Sequence, residues 1–168
     1  EKFAGVGSMA YVCSKVVFLS VLVLVQCLWM FLFVHYFWGF KGDVMNHLSF
    51  LLLANAAMTS VCLGISANSK TADQASLLSI YLVGFQLPLS GAVLALDDVL
   101  ASVTQPFISA YWAWSGSLSG GENTYRDVVD NIVQTSFAPY NMCLLVLGAH
   151  IVLGIILTYI GVRRTRWE

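Results

Sequence analysis

The sequence predicts an all-α fold, a polytopic bundle of transmembrane helices with short re-entrant or interfacial helices on its outer side. Hydrophobic residues make up 58% of the chain and charged residues 10%, and the mean hydropathy is +0.78, well above the usual range for a water-soluble domain. Four apolar segments, at residues 11–37, 48–66, 75–96 and 142–162, each contain an uncharged run of about 20 residues, which as a helix crosses a hydrocarbon core of about 30 Å. We therefore expect one membrane domain with four spans.

The ends of these segments carry residues that suit a membrane boundary. Lys15, near the start of the first segment, is able to extend its ammonium group to the lipid headgroups. The third segment is interrupted by Pro88 and Gly91, which predicts a hinge or kink near its outer end. The fourth segment contains one histidine, His150, and no other acidic or basic residue, and it stops at a cluster of arginines.

Basic residues are distributed unevenly between the two sides that four spans would define. The larger group is Lys2, Lys15, Lys70, Arg163, Arg164 and Arg166, and the smaller group is Lys41 and Arg126. Because cytoplasmic loops are enriched in Lys and Arg, we expect both ends of the chain in the cytoplasm, with Lys15 and the three C-terminal arginines as topology anchors. The outer segment has no cysteine and no Asn-x-Ser/Thr acceptor, which favours a bacterial inner membrane.

The extracytoplasmic segment, residues 97–140, is the one long stretch with a water-compatible composition. Its first part, residues 105–114, is rich in aromatic residues and is expected at the membrane interface. Beyond Gly120 and Gly121, residues 125–136 place their apolar side chains on one helical face, which predicts a short amphipathic helix on the outer surface.

The sequence contains no motif for nucleotide or hydrolytic chemistry. The patterns GxxxxGK[ST], GxGxxG, GxSxG and HExxH are all absent. The four cysteines lie in apolar runs without zinc-ligand spacing, and the three histidines lie on separate segments, so we expect packed thiols and hydrogen-bonded histidines. A net charge of -1 with scattered basic residues argues against a nucleic-acid partner. We expect no catalytic site, metal or cofactor in this chain.

Neutral polar and small residues recur at helical spacing within the expected spans. They are Asn55, Thr59, Cys62 and Ser66 on the second, Ser79, Gln86 and Ser90 on the third, and Gly148, Gly154, Thr158 and Gly161 on the fourth. Residues at such intervals share one helix face. Two interpretations remain open for these faces, close packing between helices and the lining of a translocation path.

The order of several short motifs resembles that of the ABC-2 type exporter permeases, particularly their ABCG-like branch. A cytoplasmic lead at residues 1–6 is followed by residues 10–15 and a long span. The next span closes with a glycine, an isoleucine-serine-alanine step and a polar turn at residues 63–75, and the third carries a proline and a serine-glycine pair at residues 86–93. An aromatic stretch at residues 110–114 lies before the last span, as in that family.

The resemblance implies the remaining parts of the transporter. These permeases usually have six spans, which would place two more before Glu1, and a start at Glu also suggests a piece of a longer polypeptide. The intact protein would be an ATP-driven exporter whose two permease halves, as a homodimer among membrane lipids, form a path at their interface. A nucleotide-binding domain, in the same chain or a separate one, would bind ATP and magnesium.

The same resemblance implies roles for individual residues. Glu1 and Lys2 would end a cytoplasmic connecting helix that couples the permease to the ATPase. The polar faces of the second and third spans would approach the dimer axis, and the residues expected on the translocation path are Asn55, Thr59, Ser79, Gln86 and Ser90.

Two other classes of protein fit the same composition. A non-transporting four-span scaffold or assembly protein would use its outer helix and aromatic segment to bind a neighbour. An ion- or proton-coupled carrier has less support, because His150 is the one acid or base expected in the middle of the membrane.

Overall fold

A computed structural model describes residues 7–39, 43–92, 96–119 and 136–165, and the regular elements within these ranges are all helical. We number the α-helices in chain order: α1 Ser8–Trp38, α2 Val44–Asn68, α3 Ala72–Gln86, α4 Asp98–Thr104, α5 Ser109–Ser119 and α6 Tyr140–Thr165. Short 3-10 turns occur at Pro88–Ser90 and Gln105–Phe107. The amphipathic helix expected at residues 125–136 lies, apart from Ser136, outside the described residues, as do Glu1, Lys2 and Arg166.

Among the described residues, three helices are long and apolar enough to cross a membrane. They are Ser8–Phe37, Val44–Asn68 and Tyr140–Arg164. Each contains one of the expected spans, at residues 11–37, 48–66 and 142–162; the first starts three residues earlier than expected, and the other two extend beyond the expected span at both ends. The sequence therefore identified these three spans, although not their full helical length.

Side-chain caps fix where two of the helices begin. The Oδ1 atom of Asp43 accepts a hydrogen bond from the Met45 amide at 3.1 Å, so α2 starts directly after it. The Thr71 hydroxyl accepts one from the Gln74 amide at 3.2 Å and caps α3, whose first turn also carries Asp73. Local sequence is sufficient to set these two boundaries.

The expected third span is shorter than the sequence suggested. α3 has 15 residues and ends at Gln86, so its helical length of about 22 Å is less than a typical hydrocarbon core. Proline lacks an amide hydrogen and its ring collides with the preceding turn, so the chain passes into the 3-10 turn at Pro88–Ser90. Gly91 follows with a φ of 73°, which glycine adopts without strain. Pro88 and Gly91 thus end the helix, where we expected a kink within a helix that continued to Leu96.

The centre of the fold is the contact between α2 and α6, which run parallel. Gly154 lies directly against the α2 backbone, because a Cβ atom there would be 2.6 Å from the Ser60 carbonyl oxygen and 2.7 Å from the Val61 amide nitrogen. About two turns further along α6, a Cβ atom on Gly161 would be 2.6 Å from the Ala67 carbonyl oxygen. Such close approach is possible only for glycine and brings the two backbones into van der Waals contact.

Polar side chains reinforce this helix pair. Asn68 donates from Nδ2 to the Gly64 carbonyl at 2.8 Å and to the Leu157 carbonyl of α6 at 2.9 Å. The buried Thr158 hydroxyl donates to the Gly154 carbonyl at 2.7 Å, a bond within α6 that satisfies this hydroxyl at the contact without joining the two helices. For Gly154, Thr158 and Gly161 the structure therefore favours the packing interpretation. Gly148, by contrast, has open space beside it.

The basic residues of three helices lie at one end of the bundle. α1 is antiparallel to α2, since one cavity is lined by both His35 and His47 and another by both Val16 and Leu63. The start of α1, the end of α2 and the end of α6 are therefore neighbours. The exposed basic residues described at this end are Lys15, Lys70, Arg163 and Arg164.

We predict that Gly154→Ala destabilises the protein by about 1–3 kcal/mol, because the added methyl group overlaps the backbone of α2. Gly148→Ala is the matched control on the same helix and should leave stability unchanged or raise it by up to about 1 kcal/mol through helix propensity. Thermal unfolding of both variants in lipid nanodiscs measures the difference. Equal unfolding temperatures would contradict the assigned α2–α6 contact.

Candidate functional site

A cavity of about 590 Å³ lies between α1, α2 and α3. It brings together three of the predicted path residues, Asn55 and Thr59 of α2 and Gln86 of α3, with Cys62 and Ser66 of the same α2 stripe. The other lining residues are Leu19, Gln26, Ala54, Met58, Leu63, Val83 and Ala110. The polar face of α2 that the sequence revealed is thus an accessible surface along much of its length.

Two predicted path residues lie elsewhere. Ser79 is half-buried on α3 and is not among the residues that line this cavity. Ser90 is 1% exposed, and its hydroxyl donates to the Leu87 carbonyl at 2.7 Å and accepts from the Ala92 amide at 3.2 Å. Its side chain stabilises the turn that ends α3.

The cavity offers hydrogen bonds without formal charge. None of the described residues that line it is acidic or basic, and its polar side chains are amides, hydroxyls and a thiol. Asn55 donates from Nδ2 to the Leu51 carbonyl one turn earlier, at 3.0 Å. This Nδ2 bond lies within α2, and Asn55 also interacts with the Cys27 side chain of α1, so it lies on the cavity wall where α1 and α2 meet.

Gln86 is held in one orientation by α5. Its Oε1 atom accepts a hydrogen bond from the Ala110 amide at 3.0 Å, at the start of α5. Because an amide N–H must point at the oxygen and not at the NH₂ group, this bond also fixes the position of Nε2. Gln86 is only 7% exposed, and its Nε2 is buried without a hydrogen-bond partner in the part of the chain that the structure describes.

His150, in the middle of α6, binds the segment that precedes α5. Its Nε2 lies 3.0 Å from the Pro106 carbonyl oxygen and its Nδ1 lies 3.2 Å from the Ser109 hydroxyl. A carbonyl only accepts, so Nε2 carries the hydrogen, and in the neutral imidazole Nδ1 accepts from Ser109. His150 is therefore a two-point anchor for the start of α5.

The far end of α5 is anchored to α2. The Nδ2 atom of Asn46 donates to the Ser117 carbonyl at 3.0 Å. Fully buried Phe50 lies against Gly116, where any side chain would collide with its ring. α5 thus extends from the depth of His150 to the start of α2, with a polar anchor near each end.

A third set of bonds joins α5 to the residues that lead into α6. Ser115 accepts from the Ala138 amide at 2.7 Å, and Ser119 donates to the Ala138 carbonyl at 3.0 Å. Tyr111 donates to the Ser136 carbonyl at 3.0 Å. Burial raises the pKa of the Tyr111 phenol, which keeps this donor protonated.

Sequence reasoning missed this anchoring role of His150 and Asn46. A signal was present, since His150 is the only histidine, acidic or basic residue in residues 142–162 and a polar group at membrane depth needs a partner. The partner itself, a turn more than forty residues away, leaves no mark in the local pattern. A second cavity, about 390 Å³ and largely apolar, lies between α1, α2 and α5 beside Phe50 and Trp114 and was also not foreseen.

The described residues suggest no metal centre, because within those ranges no three His, Cys, Asp or Glu side chains come together. Comparison with protein families shows that the model for the ABC-2 type transporter matches residues 1–114 of the 168. The matched region includes α1, α2 and α3 and ends within α5. No individual curated protein matches the chain.

We predict that His150→Leu loosens α5 selectively, because it leaves the Pro106 carbonyl and the Ser109 hydroxyl unpaired at a cost of about 1–3 kcal/mol. Amide hydrogen exchange should accelerate in α5 and remain slow along the α2–α6 contact. His35→Leu is the control, since His35 is exposed on α1 and its ring stacks on Phe31. Unchanged exchange in α5 of the His150 variant would contradict the anchor.

Proposed function

The chain belongs to the ABC-2 type transporter family, and from that premise we propose that it is the membrane-spanning permease portion of an ATP-driven exporter. It is an integral membrane protein and a permease component, which implies association with an ABC ATPase. In our proposal that ATPase, in the same chain or a separate one, binds ATP and magnesium and drives export.

The observation that carries this proposal is the cavity lined by Asn55, Thr59 and Gln86. Polar groups inside a membrane bundle normally pair with one another, because lipid offers them no hydrogen bonds. Here the polar face of α2 lines an open cavity that is large enough for a small molecule. A path for transported molecules accounts for that open face, whereas a bundle that only holds its own helices together would close it.

We propose that the path is completed by a second copy of the permease. α3, like α1, has a broad exposed apolar surface next to the cavity, and it carries Ser79 at a half-buried position. The exposed side chains of α3 are Leu77, Leu78, Ile80, Tyr81, Val83 and Phe85. A homodimer contact on the α3 surface would bring two cavities towards one axis and add Ser79 to the proposed route, whereas the buried Ser90 stays in the turn that ends α3.

Movement of α3 is proposed to open and close the route. Its helix stops at Gln86, between the cavity and α5, and the chain then turns through Pro88 and Gly91. This break is the proposed hinge. Coupling to the ATPase is assigned to Glu1 and Lys2, which precede α1.

The proposed orientation of the protein rests on the basic residues at one end of the bundle. Lys15, Arg163 and Arg164 lie together at one end of the bundle, and with Arg166 they would anchor that end in the cytoplasm. The proposed location is a bacterial inner membrane. α5 would then enter the bundle from the outer side as a re-entrant helix, with His150 at its deepest point.

The decisive experiment purifies the full-length product of the parent gene with any associated ATPase, reconstitutes it in lipid and measures ATP hydrolysis. A variant in the nucleotide site of the ATPase should abolish the activity, and efflux of Nile red, a neutral lipophilic dye, should depend on ATP. If no ATPase is encoded with or co-purifies with the permease, and no ATP-linked efflux occurs, the non-transporting scaffold becomes the better interpretation.

We predict that Asn55→Leu lowers ATP-linked efflux at least about fivefold, because it removes a polar group from the cavity wall, while losing the contacts of Asn55 with the Leu51 carbonyl and the Cys27 side chain lowers stability by about 1–3 kcal/mol at most. Ser69→Ala, which also removes one bond to a carbonyl of α2 but lies outside the cavities described, is the control. Efflux of the Asn55 variant equal to that of the control, at equal protein level, would remove this residue from the path.

A further inference from the structure

We propose that the cavity between α1, α2 and α3 binds an uncharged amphiphile through one oxygen atom that accepts a hydrogen bond from Gln86. This inference deepens the proposed function, on which it rests in naming such amphiphiles as the transported class. The binding site itself is a property of the folded permease and is testable without ATP.

The first step is the missing partner of Gln86. Its side chain is 7% exposed, lines the cavity, and has a buried Nε2 with no acceptor within the described ranges. A buried donor without an acceptor costs free energy, and native structures retain few of them. An acceptor oxygen placed in the cavity beside Gln86 would supply the partner that the described residues do not provide.

The second step is that this donor is pre-oriented. The Ala110 amide holds Oε1 at 3.0 Å, so the amide plane of Gln86 cannot flip without losing that bond. Ala110 belongs to α5 and also lines the cavity. A donor already fixed in position binds a ligand oxygen without a further loss of side-chain freedom.

The third step is the chemistry of the walls. Leu19, Met58 and Val83 provide apolar surface, while Gln26 and Asn55 add further neutral hydrogen-bonding groups. A volume of about 590 Å³ is that of a small-molecule site. A charged ligand would lie at membrane depth without a counter-charge among these lining residues, which is unfavourable. The preferred ligand is therefore neutral, mostly apolar, and carries a carbonyl, ester or hydroxyl oxygen.

The experiment uses two photoreactive probes in nanodiscs containing the purified permease. One is a monoacylglycerol with a diazirine in its acyl chain, and the other is a hydrocarbon of the same length with the same diazirine and no oxygen. Mass spectrometry compares labelling of the cavity peptide around Thr59 and Cys62 with labelling of Trp29, which is exposed on α1. The ratio of the two corrects for how each probe partitions into lipid.

In the wild type we expect saturable cavity labelling by the glyceride, with a ratio about tenfold higher than for the hydrocarbon, the difference made by one hydrogen bond. Gln86→Met should remove that preference while leaving hydrocarbon labelling unchanged. Gln74→Met, on the same helix but exposed and outside the cavity, should keep the preference. Thr59→Phe, which fills the cavity and keeps the Gln86–Ala110 bond, should reduce labelling by both probes.

Equal wild-type ratios for the two probes would overturn the inference, and this comparison needs no variant to fold. The inference is also overturned if Gln86→Met lowers cavity labelling by both probes equally, since Gln86 would then act only through α5. It is likewise overturned if a water molecule alone occupies the site. ATP-linked efflux with no cavity preference would reject this inference and leave the exporter standing. A cavity preference with no ATP-linked efflux would reject the exporter and leave the binding site standing.

Discussion

The contact of α6 with the backbone of α2 is the constraint on which the other features of this protein depend. Lipid provides no hydrophobic force between helices, so a membrane bundle is held together by close packing and by hydrogen bonds. Gly154 and Gly161 allow the first, and the Asn68 side chain supplies the second. With α2 and α6 fixed as a parallel pair, the position of every group they carry, including the anchors for α5 and one wall of the cavity, is determined.

Neutral polar residues on these helices serve two different purposes. His150 and Asn46 use their hydrogen bonds to position α5, a short helix that also packs on the apolar core through Trp112 and Ala113. Asn55 and Thr59 present their polar groups to an open cavity. Gln86 does both, because its Oε1 holds α5 while its Nε2 has no hydrogen-bond partner among the described residues. It links the position of α5 to the surface that we propose meets the ligand.

Because of Pro88, Gln86 lies at the end of a helix. A helix that continued through residue 96 would carry Gln86 in its interior, several turns from its end. Because proline stops the α-helix after Gln86, the chain turns there and α5 approaches from the side. Pro88 and Gly91, which the sequence predicted as a hinge, therefore bring the cavity, the end of α3 and the start of α5 together at one point.

The sequence by itself determined the membrane helices α1, α2 and α6 and the small positions of α6, because apolar length and glycine spacing are encoded locally. It also placed Asn55 and Thr59 on one face. Only the tertiary structure decided what each face meets: that Gly154 packs on α2 while Gly148 faces open space, that Ser90 closes a turn, and that His150 anchors a loop. Helical periodicity defines a face, but the partner of that face comes from residues distant in the chain.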